Sequence, residues 1–292
     1  MSEIKLFSIT GNVKELESNT FDLEVELQRK IEENMDVIFQ VDYLTSEYSF
    51  NGGRIDSLGI DENNSPVIFE YKRNMNENVI NQGLFYLEWL LDHKADFELL
   101  VRDKYGKGRS NQIEWNNPVV YCIANGFTRY DVNAVKQMQR NIRLIEYKKY
   151  NGILLFDFLN LDLKVKPIQN IVSKVSKQRT IEDRMQSLNE KLKPILVELR
   201  NYIISISEDV NEVVMKQYIA YKKVNNFVTL DLTNDKIQIY LKLNPDDVEI
   251  KENMRDMRGI GHFGTGDVEI IIRTVEDYKY SLEYIDLAFM KN

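Results

Sequence analysis

Apolar positions along the first 160 residues change their spacing several times, and each change predicts an element. Residues 22–34 (DLEVELQRKIEEN) set Leu23, Leu27 and Ile31 four apart among acids, the spacing of one helix face, with Asn19 and Thr20 upstream as caps. Residues 54–60 (RIDSLGI) and 66–72 (PVIFEYK) read as strands across the polar turn 61–65, which predicts a hairpin. Residues 76–92 (NENVINQGLFYLEWLLD) predict a strongly apolar helix, with Asn74 and Glu77 spaced as a capping box. A strand at 118–124 (PVVYCIA), a helix around 131–140 and strands near 142–146 and 153–157 continue the alternation of strand and helix.

The pattern then lapses. Residues 164–179 (KVKPIQNIVSKVSKQR) are polar and basic with no sustained apolar period, the character of a linker. Beyond them a helix at 181–206 is followed by strands near 213–222, 226–232, 236–243 and 267–273 and a closing helix at 275–290. The organisation predicted is a domain over 1–165, a linker over 166–184 and a second, smaller α+β domain over 185–292.

The hairpin carries the first chemical signal. Pairing Ile60 with Pro66 puts Asp56 opposite Glu70 and Arg54 opposite Lys72. Glu70 and Lys72 share one face of their strand, while Val67, Phe69 and Tyr71 share the other. Two carboxylates that face each other repel, and a divalent cation removes that cost. Asp56, Glu70 and the Tyr71 carbonyl could hold Mg²⁺, with Mn²⁺ as a substitute, to acidify a water and stabilise a pentavalent phosphate. Lys72 stands where an ammonium can orient that water or offset developing charge. A lone Glu-x-Lys triplet, by itself, would be better read as a solvated strand face.

Composition narrows the setting. Of the 292 residues 43% are apolar and 29% charged, as in soluble globular proteins. The single cysteine, Cys122, excludes an intramolecular disulfide and a cysteine-based zinc site, and its apolar neighbours make it a buried strand residue. No run approaches the roughly 18 apolar residues of a membrane span, and the first residues lack a signal-peptide profile, so a cytoplasmic protein without a membrane partner is expected. Net charge is −8 but unevenly spread: −12 over residues 1–100, +9 over 101–193 and −5 over the rest. The basic middle could meet phosphates, or could simply be a solvated surface.

The run Gly53-Arg54-Ile55-Asp56, then Glu70-Tyr71-Lys72, then Gln82-Gly83-Leu84-Phe85-Tyr86 resembles the PD-(D/E)XK nucleases, and their RecB-like branch and NucS-type endonucleases most closely. The resemblance covers about residues 20–125, with Gly53 at the family's proline position. It implies a restriction-endonuclease-like α/β core and a metal-dependent deoxyribonuclease, endonuclease over exonuclease, serving repair or defence. By position, Asp56 and Glu70 would be metal ligands, Lys72 the catalytic lysine and Gln82 a helper from the next helix, with Tyr86 more a packing residue than a catalytic one. Glu24 matches the first-helix acid, with Gln28 beside it and Glu47 as a weaker substitute; an exposed helix acid is the other reading of Glu24. Arg54, Arg73, Lys104, Lys107 and Arg109 are the cations assigned to nucleic acid, the last three in a glycine-containing stretch that could equally be a solvent-facing loop. A homodimer is one assembly this reading admits. The rival is a binding protein that keeps the fold without catalysis.

The last third, about 185–292, resembles a domain of unknown function with a G-H-x-G-T-G-D signature, a kind that has carried the label "predicted transport protein"; the absence of a membrane segment in the sequence argues against transport. The glycine-dense run 259–267 lacks the Gly-Lys-Ser/Thr ending of a P-loop, so a tight turn is favoured over phosphate binding. His262 and Asp267 could form a binding site, against the plainer reading that they pack the turn.

Overall fold

The computed structural model describes residues 4–72, 79–138, 140–161 and 179–292. The chain is α/β and divides into two compact units, each with a six-stranded sheet. Unit 1 takes in Met1–Ile60, Pro66–Ile113 and Pro118–Asn160; unit 2 takes in Asp61–Ser65, Glu114–Asn117 and Leu161–Asn292. Most of the expected linker, and the Asn74–Glu77 capping box, lie outside the described residues.

In unit 1 the strands β1 (Leu6–Ser8) and β2 (Lys14–Leu16) form a small ribbon. Next come α1 (Glu24–Glu32), α2 (Met35–Phe39), β3 (Val41–Phe50), β4 (Gly53–Asp61), β5 (Pro66–Lys72), α3 (Val79–Asp92) and α4 (Lys94–Ser110). Then follow β6 (Val119–Ala124), α5 (Arg129–Gln137), β7 (Ile142–Tyr150) and β8 (Ile153–Phe158). The sheet order is β3-β4-β5-β6-β7-β8. The hairpin β4–β5 has the register expected from its turn, Ile60 against Pro66 through Ser57 against Phe69. β5 then runs parallel to β6, and β6 to β7, the helical crossovers being α3–α4 and α5.

Burial on both faces explains the continuous apolar runs of the central strands. Val67, Phe69 and Tyr71 of β5 join Tyr121 and Ile123 of β6 in one core with Leu27 and Ile31 of α1 and Phe39 of α2. On the opposite face α3 lies close to β6: a Cβ added at Gly83 would stand 2.6 Å from Val120 Cγ1.

Several sequence expectations shift. Leu23 is exposed and occupies the N-cap of α1, and Asn19 is drawn into a β-bridge with Lys149, so Asn19 does not cap the helix. β3 and α4 have no counterpart in the sequence reading, because β3 buries only Val41 and Leu44 and α4 only Phe97 and Val101. The stretch holding Lys104, Lys107 and Arg109 is therefore helical and not a loop, broken only at Gly106, whose φ is 86°.

Unit 2 has α6 (Ile181–Ser187), α7 (Leu192–Ser205), β9 (Asn211–Val214), β10 (Ile219–Lys222), β11 (Asn226–Thr233), β12 (Lys236–Leu241), β13 (Met254–Asp256), β14 (Val268–Ile272) and α8 (Val275–Lys291). Its sheet, ordered β13-β14-β12-β11-β10-β9, is antiparallel throughout and packs its apolar side on the helices. The single helix expected at 181–206 is two, since Pro194 is tolerated only in a helix's first turn and a new helix starts just before it. The strand expected at 213–222 is likewise a hairpin, closed by the Met215 amide on the Tyr218 carbonyl at 2.9 Å. The turn Asp61–Ser65 belongs to this unit. There the Asn63 and Asn226 side-chain amides exchange bonds of 3.1 and 2.7 Å, and the Tyr218 hydroxyl donates to Asn63 Oδ1 at 2.8 Å.

Candidate active site

The ladder between β4 and β5 stops at Ser57 and Phe69, and from there side chains replace it. The Tyr71 amide donates to Asp56 Oδ2 at 3.0 Å, and the Asp56 amide donates to Glu70 Oε1 at 3.3 Å. The two carboxyl groups are thus tied to the hairpin's own backbone and stand in contact with each other. Glu70 is only 1% exposed. Burial first, and the neighbouring Asp56 second, push its acid up to about 9. Burial also raises Asp56, against the opposing pull of the Tyr71 amide and Lys72. Lys72 Nζ reaches Glu24 Oε1 at 3.3 Å. Burial works against its charge, but Asp56, Glu24 and Glu70 outweigh it and hold the ammonium above its usual range. Without a metal, then, one acid of the pair keeps its proton at neutral pH while Lys72 stays cationic.

Among the described residues no group of three or more His, Cys, Asp or Glu converges as a metal cage. The donor set is the smaller one that Mg²⁺ prefers, two hard carboxylates with the remaining positions left to water and substrate oxygens. The buried, mutually repelling acids fit such an ion, because a cation would discharge both penalties on Glu70.

A second layer surrounds the pair. Gln28 of α1 is buried, and its Nε2 donates to the Asp56 carbonyl at 3.0 Å, to Glu32 Oε1 at 3.0 Å and to Glu47 Oε1 at 3.2 Å. Ser57 Oγ donates to the same Glu32 oxygen at 2.6 Å. The Tyr86 hydroxyl of α3 lies near the Arg54 backbone and feels the charges of Glu70 and Asp56, so it stands at the site as well as in the core. Gly53 is where the ring edges of Phe50 and Tyr86 close in, each 2.8 Å from where a Cβ would be. Gln82 is half-buried on α3.

Glu47, in the sequence only a weaker substitute for Glu24, has contacts that the sequence did not reveal. It sits within β3 at φ 53°, and its Oε2 pairs with Arg54 Nη1 at 2.6 Å. The two side chains are 43% and 61% exposed, and an ion pair that open contributes about 0–1 kcal/mol. A left-handed backbone at a non-glycine residue costs about 1–3 kcal/mol. The Arg54 pair alone does not offset that cost, and the second contact of this carboxylate is the Gln28 amide at 3.2 Å.

The other assigned cations divide. Lys104 Nζ donates to the Leu44 carbonyl at 3.1 Å and lies over the Tyr43 ring, and Arg109 pairs with Asp42, so both clasp α4 to β3. Lys107 is exposed, and Arg73 lies outside the described residues. Cys122 is fully buried under α3, where burial drives its thiol far up and its Sγ faces the Val79 carbonyl at 3.8 Å, the environment of an inert strand residue.

In unit 2 the glycine-dense loop lies against its own sheet. Gly264, at φ 82°, would put a Cβ 2.5 Å from Thr229 Oγ1, and Gly266, at φ 135°, one 2.7 Å from the Tyr240 backbone. His262 stacks on Tyr240 at 4.1 Å, and the Asp267 carbonyl takes the Met257 amide at 2.8 Å. These contacts favour the packed turn over a phosphate cradle.

With this geometry in place, comparison with known proteins adds the following. Residues 181–283 match a family described as a domain of unknown function (DUF5655). A protein of Haemophilus influenzae described as uncharacterized is 26% identical over 299 residues, spanning 98% of this chain and 99% of its own. About half of the chain, 49%, aligns with a repair endonuclease from Pyrococcus abyssi at 14% identity and a TM-score of 0.29. The same share aligns with an EndoMS–dsDNA complex at 17% identity and a TM-score of 0.26. The alignments span 65% and 64% of those two chains, less than two thirds of their length.

Proposed function

We propose that the protein is a metal-dependent nuclease that hydrolyses phosphodiester bonds in DNA, with its chemistry in unit 1. The observation that carries this reading is the Asp56–Glu70 pair: Glu70, buried, takes the Asp56 amide and Asp56 takes the Tyr71 amide, beside a cationic Lys72. Asp56 and Glu70 would hold Mg²⁺ or Mn²⁺, which when bound supplies a Lewis acid for the phosphate and an acidified water. The Lys72 ammonium, kept charged by three carboxylates, is suited to offset charge developing on the phosphate and unsuited to accept a proton. Gln28 and the Tyr71 amide fix Asp56 on two sides, so little reorganisation is needed when substrate arrives.

Purified protein incubated with labelled single-stranded and duplex DNA, and RNA, in Mg²⁺, Mn²⁺ or EDTA tests the reading. Cleavage that requires metal and disappears in Asp56→Ala supports it. Binding of DNA without cleavage under every metal would favour the rival, a nucleic-acid-binding protein without catalysis.

A further inference from the structure

We propose that Glu47 is a positioning residue of this site, holding the Arg54 guanidinium where a substrate phosphate is to be received; the proposal rests on the nuclease reading above. Arg54 and Asp56 are two apart on β4 and so share a face. The Arg54 backbone lies near the Tyr86 hydroxyl, and the direction of the side chain is set by its own contacts. The contact the structure provides is Glu47 Oε2, at 2.6 Å from Nη1. The other Glu47 oxygen takes the Gln28 amide that also holds the Asp56 carbonyl, so one carboxylate braces α1 and β4 on both sides of Asp56.

The chemistry of the pair suits an exchange. A carboxylate and a phosphate present similar paired oxygens to a guanidinium fork, so Arg54 can pass from one anion to the other with little change of orientation. Lys104 and Arg109 are already engaged on β3, whereas Arg54 is 61% exposed and two residues from Asp56. Glu47 reaches Arg54 from a left-handed backbone inside a strand, a conformation costlier than an exposed ion pair returns. A residue that takes a left-handed backbone inside a strand to reach both Arg54 and the Gln28 amide that holds the candidate ligand is placed for function.

Glycine tests this because it relieves the backbone while removing the carboxylate. Glu47→Gly is expected to melt about 2–4 °C above wild type. Its cleavage of a labelled oligonucleotide in Mg²⁺ is expected to fall at least tenfold, more through KM than kcat. Glu47→Gln, which loses only the charge, should lie between the two in rate. In the Arg54→Ala background, adding Glu47→Gly should cost much less than it does in wild type, since the residue it positions is gone and only the Gln28 contact remains to be lost. A lower melting temperature in Glu47→Gly, unchanged KM and kcat, or a full additive loss in the double variant would each overturn the proposal. Wild-type protein that cleaves nothing in Mg²⁺ or Mn²⁺ overturns the nuclease reading, and this proposal with it. Active wild type with an unaffected Glu47→Gly overturns the Glu47 role alone.

Discussion

Glu70 concentrates the electrostatics of the site in one side chain. Its acid is raised to about 9 in the folded protein, well above its unfolded value, so the folded chain binds a proton that the unfolded chain releases. Stability from this group is complete below the unfolded pKa, about 4.3, and is lost as pH rises towards 9. Melting temperature in EDTA is therefore expected to decline between those limits, and Glu70→Gln should flatten the decline. Mn²⁺ should reverse the trend, since it binds the deprotonated pair and gains affinity as pH rises. A metal-free melting curve indifferent to pH would remove the basis for a shared proton. Lys72 makes a separate prediction. Lys72→Ala should cut cleavage by about 10²–10³-fold while DNA binding in Ca²⁺, read by gel shift, stays near wild type. Loss of binding in proportion to rate would make Lys72 a phosphate anchor.

At the scale of elements, the site depends on how closely α3 can approach the sheet. Gly83 lies within α3 and faces Val120 of β6, where a methyl group would stand 2.6 Å from Cγ1. Gly83→Ala should therefore destabilise the fold by about 1–3 kcal/mol, read by urea denaturation, because α3 must lift and take Tyr86 with it. Gly108 of α4 offers the contrast, with nothing within 4 Å of an added Cβ and no positive φ. Gly108→Ala should be neutral or stabilise by about 0.4–1 kcal/mol. Equal effects at the two positions would mean that α3 does not need its close approach. The Gln-Gly-Leu-Phe-Tyr run thus has an observed packing reason alongside its proposed chemical one.

At the scale of the whole molecule, compact units and chain halves do not coincide, since Asp61–Ser65 and Glu114–Asn117 group with unit 2. Among the described residues, the apolar core of unit 2 is nonetheless supplied from Ile181 onward. A fragment beginning at residue 179 is expected to unfold cooperatively on its own and to cleave no DNA. A molten or insoluble fragment would show that the turn Asp61–Ser65 is needed to complete that unit. The basic middle of the sequence also looks different in three dimensions. Lys104 and Arg109 hold β3, Arg143 donates to the Asn160 carbonyl, Lys148 pairs with Glu146 and Arg184 with Asp231. These five cations are therefore engaged within the fold.

The sequence by itself determined the hairpin and its register from Ile60–Pro66 to Ser57–Phe69, because a short turn and a two-residue side-chain period leave one arrangement. The ladder ends there, and Asp56 and Glu70 are held by bonds to backbone amides. The sequence also determined where the strands at 66–72 and 118–124 lie, from their apolar runs, while their parallel pairing and burial on both faces came from the fold. It did not reveal β3 or α4, which bury two residues each and carry too little apolar period to announce themselves. Glu47 was visible only as a weaker substitute for the acid Glu24, in a stretch with no assigned element. Its left-handed backbone, its bond from Gln28 and its pairing with Arg54 come from residues 19 and 7 positions away in the chain. Tertiary structure alone decided these, because backbone strain and contacts between distant segments are set by how the packed elements meet and leave no periodic trace in the residues themselves.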